Sequence, residues 1–450
     1  MAGPRRRPTP RRVSRVWIVN QYAVGPDRPG AAGSRAFDLG RGLAERGDQV
    51  TIFAAGVNHL TGREERLARG QLYRSDTIAG VRFIWLRTFP SLGNTWRRPI
   101  NMLTFVAAFL VVQARLRRPD VIVGSTVHPF AAFGAWIAAR VRRSRFVFEI
   151  RDLWPQTLVD IGALRMGSPG ERLLRRLEAH LVRSASVVIT LLPGMRDYLA
   201  EQGLPFDHVA YIPNGVDLAV FDDGPLEGTR GPSGAASVLD QIRAFHDEGR
   251  FVLGYVGTFG RVNGVATLLR AARIAEQREP GRVALVLVGD GPDRASVVSE
   301  ARGSSTVAVC PAVQRGHVPA ILRALDATVV HATATPVYRY GISFNKLFEY
   351  MAVGRPVVFA CESAYDPVAR AGAGLTVPPN DPERIADAFL RLATTPATHR
   401  QEMGAEGRSY VARHHDLHSL RADFATVVDA RRSRDAAPRT SEADTHRRPR

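Results

Sequence analysis

The sequence predicts an α/β protein with two doubly wound, Rossmann-like domains that face each other across a cleft. Short apolar runs alternate with helical stretches from residue 15 to residue 222, the pattern lapses, and it restarts at Phe251. Apolar runs of roughly four to eight residues are typical of buried strands, and strands that alternate with helices form parallel sheets. A chain of 450 residues is long enough for both domains.

The predicted boundaries follow these changes of pattern. Residues 1–14 are expected to form a disordered basic arm, and residues 433–450 a disordered tail, because both are rich in Pro, Ser and Arg. Between them we place an N-terminal domain at 15–222, a linker rich in Gly, Pro and Ser at 223–249, and a C-terminal domain at 250–412. A last helix is expected at 413–432.

Periodicity assigns the individual elements. Strands of the first domain are predicted at 16–20, 50–54, 81–86, 121–124, 146–150, 187–190 and 209–212. Its helices are predicted at 35–46, 99–116, 130–142, 170–183 and 194–202. Strands of the second domain are predicted at 251–256, 283–288, 307–309, 327–330 and 356–360. Ligands of such sheets bind beyond the carboxyl ends of the strands.

Composition restricts the class of protein. The net charge of +18 suits nucleic acid, an anionic membrane face or phosphorylated small molecules as partners. Cys310 and Cys361 follow no metal or redox spacing, which excludes a disulfide scaffold and favours a reducing cytoplasm. The N-terminus has no apolar stretch before the first strand, so we expect no secretory signal.

The most apolar stretch, LTFVAAFLVV at 103–112, has two interpretations. It is about half the ~20 residues that span a bilayer. It is either a buried core helix or an interfacial helix on an anionic membrane surface.

The strongest candidate site lies around residues 343–354. Ser343 is predicted to cap a helix that ends before Gly354, with Asn345, Lys346 and Glu349 close to its start. A helix N-terminus and a lysine suit a phosphate, and Glu349 can accept two hydrogen bonds from vicinal hydroxyls, which together describe a nucleotide. Lys346 is the only lysine among 61 basic residues, which favours a site that needs a compact ammonium.

Two glycine-rich strand ends of the same domain extend this site. Gly257, Gly260 and Arg261 lie between a buried strand and a helix, where backbone amides and a guanidinium can bind phosphate oxygens. Gly289 follows the next strand and is either a wall of the nucleotide site or a plain turn.

Acceptor-side candidates come from the first domain. Gly33 belongs to a glycine-rich loop, and His128, Arg151 and Asp152 follow strand ends. His128 is either a polar histidine at the edge of the core or an acceptor contact. Asp152 is predicted to orient an acceptor hydroxyl or a donor sugar. Metalloprotease, redox and nucleophile-elbow motifs are missing from the sequence, so we expect no metal.

Several motifs resemble retaining glycosyltransferases of family 4, which have the two-domain GT-B fold. These are NGVD at 214–217, YVGTFGR at 255–261, LVGDG at 287–291 and NKLFEYMAVGRPVV at 345–358. FEIRDLWPQ and YRYGISFNKLFEYMA are similar to a bacterial surface-polysaccharide subgroup that includes fucosamine-type transferases. The sequence departs from the family at Gly341, where a glutamate is common, and at Asn263 and Gly264, where a lysine is common.

The resemblance implies a nucleoside-diphosphate sugar as donor, expected to be UDP-linked, and no further cofactor. It implies that Glu349 holds the ribose hydroxyls, that Arg261 and Lys346 face the diphosphate, and that the last helix returns to the N-terminal domain. Together with Asp152, these two cations are the predicted catalytic residues.

The predicted function is transfer of a hexosyl or N-acetylhexosaminyl group to a hydroxyl of a lipid-linked or polysaccharide acceptor. The expected location is the cytoplasm, at the inner face of the plasma membrane. The alternatives are a GT-B-like nucleotide-sugar epimerase and a nucleic-acid-binding protein that uses the arginine tails.

Overall fold

A computed structural model describes residues 13–26, 33–58, 61–92, 96–222 and 235–429. These residues form two α/β domains, each with one sheet between layers of helices. The predicted arm, apart from its last two residues, and the predicted tail lie outside the described residues.

The N-terminal domain is built on an eight-stranded sheet. Its strands are β1 (Arg15–Val19), β2 (Gln49–Ala55), β3 (Tyr73–Ile78), β4 (Val81–Leu86), β5 (Val121–Ser125), β6 (Arg145–Ile150), β7 (Val187–Thr190) and β8 (Val209–Tyr211). Their spatial order is β3-β4-β2-β1-β5-β6-β7-β8, and all neighbours pair in parallel except β3 and β4.

Helices cover both faces of this sheet. They are α1 (Arg35–Glu45), α2 (Arg97–Gln113), α3 (Pro129–Arg142), α4 (Gln156–Asp160), α5 (Pro169–Ser184) and α6 (Met195–Glu201). Side chains of α2, α3, α5 and α6 form one core with the sheet, and side chains of α1 form the core on the other face. Strands between two helical layers are buried on both faces, so they appear in the sequence as continuous apolar runs.

The C-terminal domain repeats this plan with six parallel strands. They are β9 (Phe251–Val256), β10 (Val283–Val288), β11 (Val307–Cys310), β12 (Ala327–His331), β13 (Val357–Ala360) and β14 (Gly374–Val377), in the order β11-β10-β9-β12-β13-β14. The helices that follow the first domain are α7 (Ala235–Asp247), α8 (Val265–Arg278), α9 (Arg294–Ala301), α10 (Val318–Ala324), α11 (Asn345–Ala352), α12 (Pro367–Ala371), α13 (Pro382–Thr394), α14 (Ala397–His414) and α15 (Leu417–Asp429).

The last helix, α15, packs on the N-terminal domain. Leu420, Phe424, Val427 and Val428 are buried in the same core cluster as α1 and the strands of the first sheet. Arg421 of α15 donates a hydrogen bond to the carbonyl oxygen of Asp38 in α1 (2.9 Å). The apolar stripe of this helix is therefore covered by the other domain.

The strand order places one crevice in each domain. It reverses direction between β1 and β5 in the first sheet and between β9 and β12 in the second. At such a point the loops on the two sides diverge and leave room for a ligand at the carboxyl ends of the strands. The two crevices are the places where the candidate site residues collect.

Some details differ from the sequence-based expectations. The strand β3 was not predicted because its polar sequence, YRSDTI, lies at the sheet edge with its side chains mostly accessible. Helix α7 falls within the predicted linker, but Val238, Ile242 and Phe245 pack into the core of the C-terminal domain. The N-cap of α11 is Phe344 rather than Ser343, and no side chain caps this helix.

Candidate active site

A cavity of about 590 Å³ lies at the carboxyl ends of the strands of the C-terminal domain, and we call it the donor cavity. The loops after β9, β10 and β11 and the start of α11 surround it. Among its lining residues are the predicted Gly257, Gly289, Asn345, Lys346 and Glu349. These five predicted residues span almost a hundred positions of the chain and line one cavity.

Lys346 is a partly buried cation whose described partners are all neutral. Its Nζ donates hydrogen bonds to the hydroxyl of Tyr255 (3.0 Å) and to Oδ1 of Asn263, and it lies 4.7 Å from the centre of the Tyr255 ring. Burial lowers the pKa of Lys346 to about 8. A desolvated ammonium without a carboxylate partner is costly, and an anionic ligand would compensate it.

His331 holds the loop that presents Asn263 to Lys346. Its Nε2 accepts a hydrogen bond from the backbone N–H of Asn380 (3.1 Å), so Nδ1 carries the proton and donates to the carbonyl oxygen of Asn263 (2.9 Å). Burial lowers the pKa of His331, which keeps the ring neutral. The ring packs so closely that a Cβ on Gly264 would lie 2.5 Å from it. This position therefore requires glycine for space and for its φ of 50°.

Glu349 lies one turn after Lys346, and its carboxylate is partly occupied. Nη2 of Arg315 donates to Oε1 of Glu349 at 2.5 Å. Arg315 belongs to the loop after β11 and was not predicted, because one arginine in a polar loop carries no periodic or compositional signal in so arginine-rich a chain.

Two predicted residues of the phosphate loop do not reach the donor cavity. Gly260 and Arg261 are absent from its lining, and Arg261 is exposed at the start of a short 3-10 turn, Arg261–Asn263. The turn directs Asn263 toward Lys346 and Arg261 toward solvent. The role of Arg261 as a phosphate ligand stays a prediction, and the cations among the residues that line the donor cavity are Lys346 and Arg315.

A second cavity of about 590 Å³, which we call the acceptor cavity, opens between the domains. Gly33, Arg151 and Asp152 line it as predicted, together with Asp38 and Arg98, which were not predicted. Asn345 and Arg315 line both cavities, so the donor and acceptor cavities meet at the start of α11.

The charged residues of the acceptor cavity include two carboxyl groups with raised pKa values. Burial raises the pKa of Asp38 to about 6, and Arg421 and Arg315 oppose this effect. Burial in the cleft also raises the pKa of Asp152, and the charge of Arg151 opposes it, although the side chain of Asp152 keeps contact with solvent inside the cleft. A carboxyl group at this place can accept a hydrogen bond from an acceptor hydroxyl.

His128 does not line the acceptor cavity and has a structural role instead. It is fully buried, and its Nδ1 accepts a hydrogen bond from the N–H of Ala131 (3.2 Å), which caps helix α3. Its other nitrogen lies 2.5 Å from Oε1 of Gln21. Burial and the charge of Arg98 lower the pKa of His128 to about 3, so the ring stays neutral. The prediction of an acceptor contact is corrected to the edge-of-core alternative.

No three histidine, cysteine or acidic side chains converge as metal ligands within the described ranges. The prediction that the reaction needs no metal is not tested by this observation. Likewise, none of the helices in the described part of the chain has the length and apolar character needed to span a bilayer.

Two family models match the chain, one in each domain. Residues 30–215 match the glycosyl transferase 4-like domain, and residues 250–395 match glycosyl transferases group 1. The chain therefore belongs to the glycosyltransferases that combine these two domains, and its architecture is the GT-B fold. The predicted GT-B fold and the resemblance to family 4 glycosyltransferases are confirmed, and the closer resemblance to the fucosamine-type subgroup stays a prediction.

Individual relatives agree with this assignment. The probable glycosyltransferase WbjE of Pseudomonas aeruginosa is 23% identical over 287 residues, 61% of this chain and 66% of that protein. D-inositol 3-phosphate glycosyltransferase of Corynebacterium diphtheriae is 25% identical over 419 residues, 89% of this chain and 90% of that protein. The structure of Anabaena Alr3699/HepE in complex with UDP-glucose shares the fold with a TM-score of 0.63, at 15% identity over 92% of this chain and 99% of that chain.

Proposed function

We propose that this glycosyltransferase moves a hexosyl or N-acetylhexosaminyl group, with retention, from a UDP-linked donor to a hydroxyl of a lipid-linked or polysaccharide acceptor. The reaction would serve cell-envelope or exopolysaccharide biosynthesis, as in the fucosamine-type subgroup. The observation that carries the donor assignment is Lys346, a partly buried ammonium with neutral described partners at the start of α11. The UDP-glucose bound to HepE supports the choice of base.

The two ends of the proposed donor have separate binding groups. The diphosphate would lie against Lys346 and the first backbone N–H groups of α11, where the helix dipole favours negative charge. Glu349 would accept hydrogen bonds from the ribose hydroxyls one turn further along. The leaving diphosphate would be stabilised where its charge develops, without a metal ion.

The acceptor would enter from the other side of the junction. Asp152 lines the acceptor cavity and would accept a hydrogen bond from the hydroxyl that attacks the sugar. Asn345 stands between the two cavities and would contact the transferred sugar. In the transfer the bond from the sugar to the diphosphate breaks, the bond to the acceptor oxygen forms, and the proton of the acceptor hydroxyl passes to the leaving diphosphate.

Thermal shift with UDP, GDP, ADP, dTDP and NAD tests the donor assignment. We expect UDP to stabilise the protein and Glu349→Ala to remove most of the shift. Glu383→Ala is the matched control, because it removes an ion-paired carboxylate on α13, away from the cavity. A shift by NAD alone would overturn the proposal, as would full transferase activity of a Lys346→Ala, Glu349→Ala double variant.

A basic and apolar surface on the N-terminal domain supports the proposed association with the inner membrane face. Residues 87–119 contain six arginines and no Asp or Glu. Helix α2 buries Phe105 and Phe109 in the core and leaves Leu103 55% accessible, and Trp96, directly before the helix, is 70% accessible. The buried face agrees with the core-helix interpretation, and we propose the interfacial interpretation for the exposed face. Anionic lipids attract such arginines, and exposed apolar side chains insert at the headgroup level.

Vesicle flotation tests this association. We expect binding to phosphatidylglycerol vesicles, weakened by salt, and little binding to phosphatidylcholine vesicles. The double variant Trp96→Ser, Leu103→Ser should lose binding, whereas Phe206→Ser, an exposed apolar residue beside β8 at the opposite edge of the sheet, should not. Equal binding by both variants would exclude α2 as the contact.

A further inference from the structure

Arg315 has a position that the proposed donor-binding scheme leaves unexplained. It is the one residue of the described chain that lines the donor cavity, the acceptor cavity and a third cavity of about 330 Å³ beside the interdomain connection. Its side chain is 58% accessible, while that of its partner Glu349 is 16% accessible. An exposed guanidinium thus reaches into the junction of the cleft and binds a nearly buried carboxylate.

Arg315 binds the carboxylate of Glu349, which is also the proposed ligand of the ribose hydroxyls. A carboxylate that receives two vicinal hydroxyls uses both of its oxygen atoms, and Oε1 of Glu349 is already taken by Arg315. The guanidinium therefore occupies space beside Oε1 that one of the ribose hydroxyls would need. Because the side chain of Arg315 is accessible to water, which weakens the ion pair by screening, two hydroxyl groups of a bound nucleotide can displace it.

A second carboxylate lies on the other side of the cleft. Asp38 of α1 lines the acceptor cavity and the third cavity, and within the described residues its carboxyl group makes no hydrogen bond or ion pair. Arg315 and Asp38 line two cavities in common, and the charges of Arg421 and Arg315 lower the pKa of Asp38 against the larger effect of burial. Glu349 belongs to the C-terminal domain and Asp38 to the N-terminal domain.

We propose that Arg315 is an exchange residue, which holds Glu349 while the donor cavity is empty and transfers to Asp38 when the ribose of the donor takes Glu349. The transfer links the two domains by a new ion pair only when the donor is bound. It would place a positive charge at the acceptor cavity at the moment when the acceptor has to bind. This inference rests on the proposed role of Glu349 as the ribose ligand.

The exchange predicts opposite effects of two substitutions on UDP affinity. Arg315→Gln removes the competitor and should tighten UDP binding two- to fivefold. Asp38→Asn removes the receiving carboxylate and should weaken UDP binding by a similar factor, although Asp38 lines neither the donor cavity nor the predicted ribose contact. In the Arg315→Gln background, Asp38→Asn should have no further effect.

Isothermal titration with UDP on the full chain measures these four affinities. The control is Arg278→Gln, which breaks exposed ion pairs with Glu383 and Asp387 elsewhere in the C-terminal domain and should leave the affinity unchanged. Weaker UDP binding by Arg315→Gln would overturn the exchange and make Arg315 a ligand of the nucleotide. Additive effects of the two substitutions would also overturn it. If Glu349→Gln binds UDP like the wild type, the ribose role itself fails, which is a separate result.

Discussion

Each domain buries one cation in the first turn of a helix at the cleft, and the two cations are satisfied in opposite ways. Arg35 begins α1 in the N-terminal domain, and Lys346 is the second residue of α11 in the C-terminal domain. Arg35 binds Glu149 at 2.9 Å and donates to the carbonyl oxygens of Ile212 (2.7 Å) and Pro213. Lys346 has only a phenol and an amide as partners.

This difference indicates that the charge of Arg35 is structural and that the charge of Lys346 is functional. Burial alone would raise the pKa of Glu149, but Arg35 and Arg151 outweigh it and hold the pKa below its ordinary value. This ion pair needs no ligand. Lys346 has no counter-ion among the described residues, and burial lowers its pKa to about 8. Of two buried cations, the one without a counter-ion is the better indicator of a binding site.

The largest expected effect is a loss of stability when the ion pair between Arg35 and Glu149 is broken. Arg35→Met leaves the carboxylate of Glu149 buried and without its main partner, which should lower the free energy of unfolding by about 3–5 kcal/mol. Urea denaturation measures the loss. The double variant Arg35→Met, Glu149→Met should recover most of it, because no unpaired charge remains buried. A wild-type denaturation midpoint for Arg35→Met would contradict the structural role.

Substitution of Lys346 should have the opposite result, a loss of UDP binding without a loss of stability. Lys346→Met should weaken UDP binding by about 10- to 100-fold, because a charge-assisted hydrogen bond of roughly 1.5–3 kcal/mol is lost. Without ligand, the variant should be as stable as the wild type or more stable, since the desolvation of the ammonium is removed. Lys346→Arg should not restore binding, because a guanidinium is wider than the ammonium that Tyr255 and Asn263 contact. Titration and denaturation of the same samples check both results.

Sequence reasoning identified Lys346, the cation without a counter-ion among the described residues, but not Arg35, the cation of the ion pair. Lys346 stood out because all other Lys and Arg residues of the chain are arginine, and Glu349 followed from helical spacing. The buried strands were predicted because apolar runs report burial on both faces. Arg35, Arg315 and Asn263 acquire their roles only from contacts between distant loops, and the exposed position of Arg261 belongs to a 3-10 turn that the sequence did not predict. Periodicity contains no information on such contacts.

The lowered pKa of Lys346 predicts how nucleotide affinity depends on pH. In the free protein Lys346 is protonated below about pH 8 and loses its proton as the pH rises through this value. Because Lys346 attracts the diphosphate only in its ammonium form, UDP affinity should be constant just below pH 8, fall by up to about tenfold per unit above it, and level off at the affinity of Lys346→Met. For stability the sign is reversed: the unfolded chain keeps this proton up to its ordinary pKa of 10.5, so the stability cost of burying the ammonium disappears between about pH 8 and pH 10.5. Lys346→Met should show neither dependence.

The smallest expected effect is at His331, which acts on Lys346 through Asn263. His331→Phe removes two hydrogen bonds of about 1 kcal/mol each, and we expect UDP affinity to fall about five- to tenfold as the loop at Asn263 shifts. A loss of packing alone would change affinity without changing its pH profile. If His331 positions Asn263, Lys346 loses one acceptor in the variant, and the midpoint of the pH profile should move below pH 8. His331→Gln, which can donate and accept, should restore the midpoint, and an unchanged midpoint in His331→Phe would limit His331 to packing.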